Sequence, residues 1–283
     1  MPAASCRFRS PCRDDKLRGK PEKFADHYTQ ATLFYNSQTE VEQAHIVAGF
    51  RFELSKLTVP AIRERMVASL RNVSEALAAA VAEGLGMDLP KPLPKALMDA
   101  PAPEVTVSPA LSLKALPGEI GIRTRKVAIL VAKGFDGESV AAVQAALVAQ
   151  GAVPRLVASR VGPVAAFKGE VVEADASMEN TPAVLFDALV LPCGQEAVDA
   201  LARDGHTMAF IQDQYRHGKA ILALGLSQQL LDKAYIPAAL PSGEPDEALI
   251  KVQPSKVGTV IDDFIKAIAQ HRYAPRDSDP PLV

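Results

Sequence analysis

Cys193 and Ser227 are the side chains of this 283-residue chain whose types and local sequence best suit nucleophilic chemistry. Each follows an apolar run with the character of a buried strand, in Leu191-Pro-Cys-Gly194 and Leu222-Ala-Leu-Gly-Leu-Ser227. Ligands of parallel α/β sheets lie beyond the carboxyl ends of the strands, so an active site belongs at turns such as these. A nucleophile elbow there needs Cys or Ser at its apex and a His within reach as base. The apex of the second turn is Gly225, between Leu224 and Leu226, and it carries no nucleophile. Ser227, two residues on, reads as a helix cap. Cys193 has two readings. A thiol before a helix N-terminus can be acidified and act as a redox sensor, whereas a small buried residue beside a turn is the commoner use of a free cysteine.

The remaining titratable groups are scattered. His206 and His217 flank a helix ending near Gly218, where a cationic imidazole would complement the helix dipole. His27 and His45 fall in helical segments, with packing or interface hydrogen bonding as their expected use. No His, Cys and carboxylate cluster has metal-ligand spacing. Gly134-Phe-Asp-Gly137 is too short for a phosphate loop, and Asn72-Val-Ser74 on a predicted helix is an incidental glycosylation match. Read this way, the chain has no catalytic residue, no cofactor-binding residue and no metal ligand of its own.

Composition agrees with an ordinary globular chain. Lys and Arg number 31 against 33 Asp and Glu, a net charge of −2, which gives no electrostatic case for nucleic acid or an anionic membrane as partner. No apolar stretch approaches the roughly 18 residues of a membrane span. Three cysteines, Cys6, Cys12 and Cys193, cannot form a disulfide framework and point to a reducing cytoplasm. The absence of Trp predicts a core of small aliphatic side chains.

Three regions separate along the chain. After a disordered leader over 1–15, residues 16–87 are helical. Thr39 and Glu42 have capping-box spacing, Pro60 suits a first helical turn, and Ile62, Met66, Leu70, Val73, Leu77 and Val81 make one apolar stripe that ends at Gly84 and Gly86. Such a unit buries little alone and wants a partner surface. Residues 88–122 hold Pro90, Pro92, Pro94, Pro101, Pro103, Pro109 and Pro117, and read as an extended, stiff linker and domain boundary. From 123 to 274 strands at Lys126–Ala132, Val153–Ala158, Ala183–Leu191 and Ala220–Leu224 alternate with helices, including Glu138–Gln150 and Thr259–His271. That alternation predicts an α/β sandwich around a parallel sheet. Residues 275–283 read as a disordered tail.

The stretch from Lys16 through Tyr35 and on to Ile46, with Phe50-Arg-Phe-Glu-Leu-Ser-Lys56 and Ile62-Arg-Glu-Arg-Met66, resembles the helical segment that follows the haem barrel of catalases. The linker and α/β unit are similar to the carboxyl-terminal part of large-subunit catalases, whose domain is flavodoxin-like and related to class I glutamine amidotransferases. The resemblance implies hydrogen peroxide decomposition as the associated process, with haem as the family cofactor. It also implies that the barrel, with its distal His and Asn and its proximal Tyr, is not among these residues. Tyr28 and Tyr35 do not match the haem-ligand motif. Active amidotransferase relatives place Cys, often followed by His, where Gly225 and Leu226 stand here, and Asp136 matches their acidic position. The expectation is a non-catalytic stability and assembly module whose partners are protein subunits, as a homo-oligomer or with a haem-barrel catalase chain. A chaperone-like binding module is the second reading, and a Cys193-dependent hydrolase the last.

Overall fold

The computed structural model describes residues 19–98, 100, 102–113 and 121–283. The expected leader over 1–15, Cys6, Cys12, Pro101 and Pro117 lie outside the described residues. The chain divides into two compact units at residue 118.

In the first unit α1 (Thr29–Asn36), α2 (Glu40–Ser55), α3 (Pro60–Leu70) and α4 (Glu75–Gly84) surround a core of Tyr35, Val47, Leu54, Val67, Leu70, Leu77 and Val81. The single stripe expected over 62–81 is two helices. Chain direction changes at Arg71–Ser74, where the Ser74 hydroxyl accepts the Leu77 N–H and starts α4. The stripe therefore splits: Leu70, Leu77 and Val81 are buried, while Ile62 and Met66 stay 42% and 41% exposed on α3.

The capping box forms as expected. The Glu42 carboxylate accepts the Thr39 N–H at 2.8 Å, and Thr39 Oγ1 accepts the Glu42 N–H at 3.4 Å. Glu42 does more than cap, because it also accepts the Ser112 hydroxyl at 2.9 Å and the Leu113 N–H at 2.8 Å. Together with Arg71 donating to Pro90 O, Asn72 donating to Leu93 O and the Ser108 N–H donating to Ser37 Oγ, these bonds tie the proline-rich stretch to the helices. The described part of the expected linker is thus built into the helical unit. Its prolines lack donors, but its carbonyls serve as acceptors for the helical side chains.

Burial would raise the Glu42 pKa, but the Thr39 N–H, the Ser112 and Thr39 hydroxyls and the Leu113 N–H hold it at about 2, down from 4.5. A carboxylate depressed in the folded state stabilises it above its unfolded pKa, and that contribution disappears as pH falls through the folded value. Glu42→Gln should cost about 1–2 kcal/mol at neutral pH. In urea titrations, its deficit relative to wild type should shrink as pH drops from 4.5 towards 2. A deficit that does not change with pH would rule out the charge as the source.

The second unit is α/β. β1 (Lys126–Leu130), β2 (Val153–Ala158), β5 (Ala176–Ser177), β6 (Ala188–Leu191), β7 (Ala220–Leu224) and β8 (Leu249–Val252) form a parallel sheet in the order β5-β2-β1-β6-β7-β8. β3 (Gly162–Ala165) and β4 (Val171–Ala174) make a separate antiparallel hairpin. Without the two-residue β5, the order is the doubly wound arrangement of flavodoxin-like sheets. Side chains alternate between faces with period two. Val127 and Ile129 of β1 join the core under α5 (Gly137–Ala149) and α9 (Val257–Ala269). Ala128 and Leu130 join the core under α6 (Gln195–Leu201), α7 (Gly205–Arg216) and α8 (Gln228–Lys233).

Two expectations change here. The strand expected over Ala183–Leu191 is confined to Ala188–Leu191. Pro182 opens a short 3-10 turn over Ala183–Leu185, and Asp187 interrupts the apolar run by accepting Arg125 NH1 at 3.2 Å and the Lys126 N–H at 2.8 Å. The tail expected to be disordered from 275 contains Arg276, which is buried and paired with Asp246 at 2.6 Å. Arg216 also donates to Val283 O at 2.5 Å, and Val283 packs on the core under α7.

Candidate functional site

Strand order reverses between β1 and β6: from β1 the chain crosses to β2 on one side, and from β5 it returns to β6 on the other. Crevices outside the carboxyl ends of strands at such a switch point are where doubly wound sheets bind ligands. A cavity of about 270 Å³ lies there, lined by the Asp136–Glu138 turn, the Ala166–Lys168 loop, Glu170 and Cys193–Gln195.

Its walls interlock through backbone bonds. The Asp136 N–H donates to Cys193 O at 2.8 Å, joining the turns after β1 and β6. The Gly134 N–H donates to Ala165 O at 2.8 Å, and the Phe167 N–H to Phe135 O at 2.9 Å, which holds the hairpin loop over the opening. Gly194 permits the close approach. It has φ +131°, and a Cβ there would sit 2.2 Å from Gly134 O.

The cavity's ionic groups are mostly spent on each other at the rim. Lys168 and Glu138 pair at 2.5 Å, and that hydrogen bond lowers the Glu138 pKa and raises that of Lys168. Lys133 pairs with Glu196 at 2.8 Å across the two turns. All four are well exposed, so the pairs add little stability.

Gly225 and Cys193, separate in the sequence reading, are brought together. Gly225 has φ +56°, the left-handed conformation of an elbow apex. A Cβ built on it would lie 2.8 Å from Cys193 Sγ and 3.1 Å from Pro254 Cδ. The elbow backbone is therefore kept, while the position of its side chain is filled from the sides by the Cys193 thiol and a proline ring. Asp136 reaches the same cavity as Cys193. The residues lining it carry carboxylates, a lysine and an amide, but no imidazole.

Ser227 stands at the N-cap position of α8, as expected, but its side chain does not cap the helix. Its buried hydroxyl donates within reach of Leu191 O at 2.7 Å and Leu224 O at 3.0 Å, tying the ends of β6 and β7. His206 begins α7, and His217 ends it. Partial burial, with the nearby Lys219 charge, lowers the His217 pKa, so a neutral imidazole replaces the cation expected at that helix end. His27 packs edge-on against Tyr28, and His45 lies on α2. Among the described residues no three His, Cys, Asp or Glu side chains gather as a metal site, and no helix is long and apolar enough to cross a membrane.

Comparison with known families agrees with this geometry. Residues 123–277 match the model of the C-terminal domain found in long catalases, over more than half of the chain. The chain belongs to that long-catalase family. Residues 21–85 match the catalase-related immune-responsive model, which covers the four-helix unit. Catalase HPII of Pseudomonas putida is 37% identical over 264 residues, 93% of this chain and 35% of the relative. Catalase C of Rhizobium meliloti is 39% identical over 237 residues, 83% of this chain and 33% of the relative. Catalase-1 of Neurospora crassa is 30% identical over 290 residues, 93% of this chain and 38% of the relative. The chain thus spans little more than a third of the length of these curated relatives.

Haem accompanies the catalase family, and the groove of the helical unit beside Asp26, His27, Tyr28 and Asn36 does not fit one. The groove encloses about 180 Å³, below the roughly 300 Å³ at which small-molecule pockets begin. The Asp26 carboxylate there is occupied by the Thr29 hydroxyl and N–H, which lower its pKa. Tyr35 is buried in the helical core, and burial raises its pKa, opposite to what an iron-bound phenolate requires.

Proposed function

We propose that this chain is the non-catalytic assembly and stability module of a long catalase, supporting a haem barrel that decomposes hydrogen peroxide to water and oxygen. The observation that carries the reading is the match of both units, in order, to about 35% of the length of catalases. The helical unit supports it from the physical side. Beyond its own core it keeps Ile62 and Met66 exposed four residues apart on α3, and Phe52 64% exposed on α2. Apolar residues left at helical spacing on the outer face suit a docking surface.

In the α/β unit, the filled elbow at Gly225 and the cavity without an imidazole argue against a Cys193-dependent hydrolase. The free Cys193 thiol suits a reducing, cytoplasmic setting. The partners in this reading are catalase subunits, including further copies of the chain. A client-holding module, the second reading, draws on the same exposed residues but shows no preference for a catalase.

Reconstitution with haemin tests the non-catalytic part. The purified chain should give no saturable Soret band and no oxygen release from peroxide. A Soret band accompanied by azide-sensitive turnover would refute it.

A further inference from the structure

The opposite end of the α/β sheet holds a second cavity, of about 240 Å³, lined by Gly121, Arg123, Thr124, Arg125 and Asp187. It lies where the chain enters β1 and β6, away from the switch-point crevice. Its walls are polar. Arg125 is fixed in place, donating to Asp187 Oδ1 at 3.2 Å and facing His271 Nδ1 at 2.8 Å. Arg123 has no carboxylate partner among the described residues. Arg272, next to His271, stands close enough to Asp187 and Arg125 to feel both charges, and it also lacks a carboxylate partner among the described residues. Arg125 and Arg272 thus share one carboxylate, and Arg123 lines the same cavity.

The backbone singles out the same place. Thr124 has φ +67° and His271 has φ +66°, two of the three non-glycine residues in the left-handed region among the described residues. Thr124 occupies the turn closed by the Arg125 N–H on Ile122 O, and His271 ends α9, positions where glycine is the unstrained choice. A β-branched residue at positive φ is a clear outlier, and strain of this kind gathers at ligand clamps. Each residue supplies a polar side chain that glycine could not: Thr124 lines the cavity, and the His271 imidazole buttresses Arg125. Burial, then the charges of Arg272 and Arg125, lower the His271 pKa, so the ring meets Arg125 as a neutral acceptor.

We propose that this cleft binds a phosphate group, gripped by Arg123 and Arg125 and by the Thr124 hydroxyl, with Arg272 adding to the charge. The positive surplus matches a dianion, and guanidinium forks match tetrahedral oxyanions in bidentate geometry. The site is independent of the catalase reading above. Isothermal titration of the full chain with inorganic phosphate, at ionic strength held constant with chloride, tests it. Saturable binding to the wild type is expected, with no comparable heat from acetate. Arg123→Ala/Arg272→Ala should weaken binding at least tenfold with an unchanged circular dichroism spectrum, and the double lysine variant should fall between the two. Absence of phosphate binding, equal binding of acetate, or full affinity in the double alanine variant would overturn the proposal.

Discussion

Arg276→Met is expected to destabilise the α/β unit by about 3–5 kcal/mol, the usual cost of breaking a buried ion pair by removing one partner. Arg276 and Asp246 have side chains only 1% and 2% exposed, and they meet through two bonds, Nε to Oδ2 at 2.6 Å and NH2 to Oδ1 at 3.1 Å. Arg276 NH1 also donates to Lys219 O at 2.6 Å, and the guanidinium stacks 4.6 Å from the Tyr215 ring centre. Removing the arginine leaves a desolvated carboxylate whose one other donor among the described residues is the Ala248 N–H. Because a domain of this kind is stable by about 5–15 kcal/mol, the loss is a large share of the total. Asp246→Leu should cost a similar amount, by leaving the guanidinium unpaired. The double variant should cost less than the sum of the two, since two apolar groups avoid a buried charge. Urea unfolding of all four proteins checks this, and additive losses would contradict it.

Gly194→Ala is the second large effect. At φ +131° and ψ 117° the residue lies outside every region open to an L side chain, and its Cβ would meet Gly134 O at 2.2 Å and Phe135 Cα at 2.9 Å. Both neighbours are backbone, so no rotamer change relieves the contact. Strain and clash together should cost about 3 kcal/mol or more and open the Asp136–Cys193 bond that closes the crevice. Gly169→Ala is the control. Gly169 also has positive φ, +86°, but nothing lies within 4 Å of its Cβ position, so only about 1 kcal/mol of strain is expected. Equal unfolding midpoints for the two variants would contradict the interlocked-turn description.

The fold was legible where local patterns carried it. Val153–Ala158 and Ala220–Leu224 form strands with the expected bounds: each is a mainly apolar run soon after a glycine turn, at Gly151 and Gly218, although Arg155 interrupts the first. The capping box at Thr39 was readable for the same local reason. β8 was missed, since four residues containing Lys251 make too short a run at a sheet edge. The order of the tail is not legible, because Asp- and Pro-rich composition says nothing of a partner 30 residues upstream. Of the candidate site, the glycine apex was legible at once. The thiol packed over it was not, because Cys193 and Gly225 meet only when β6 and β7 pair. The basic cleft is more distant still, joining Arg125 to a histidine 146 residues away.

The most direct test of the assembly reading uses catalase HPII of Pseudomonas putida, shortened by the third that this chain matches. Analytical ultracentrifugation of the shortened catalase mixed with the chain should show a joint species. Met66→Asp or Phe52→Asp in the chain should abolish it, with circular dichroism unchanged because both side chains are exposed. If the two proteins sediment separately, or if the chain associates equally with an unrelated heated protein, the account of a catalase assembly module is wrong.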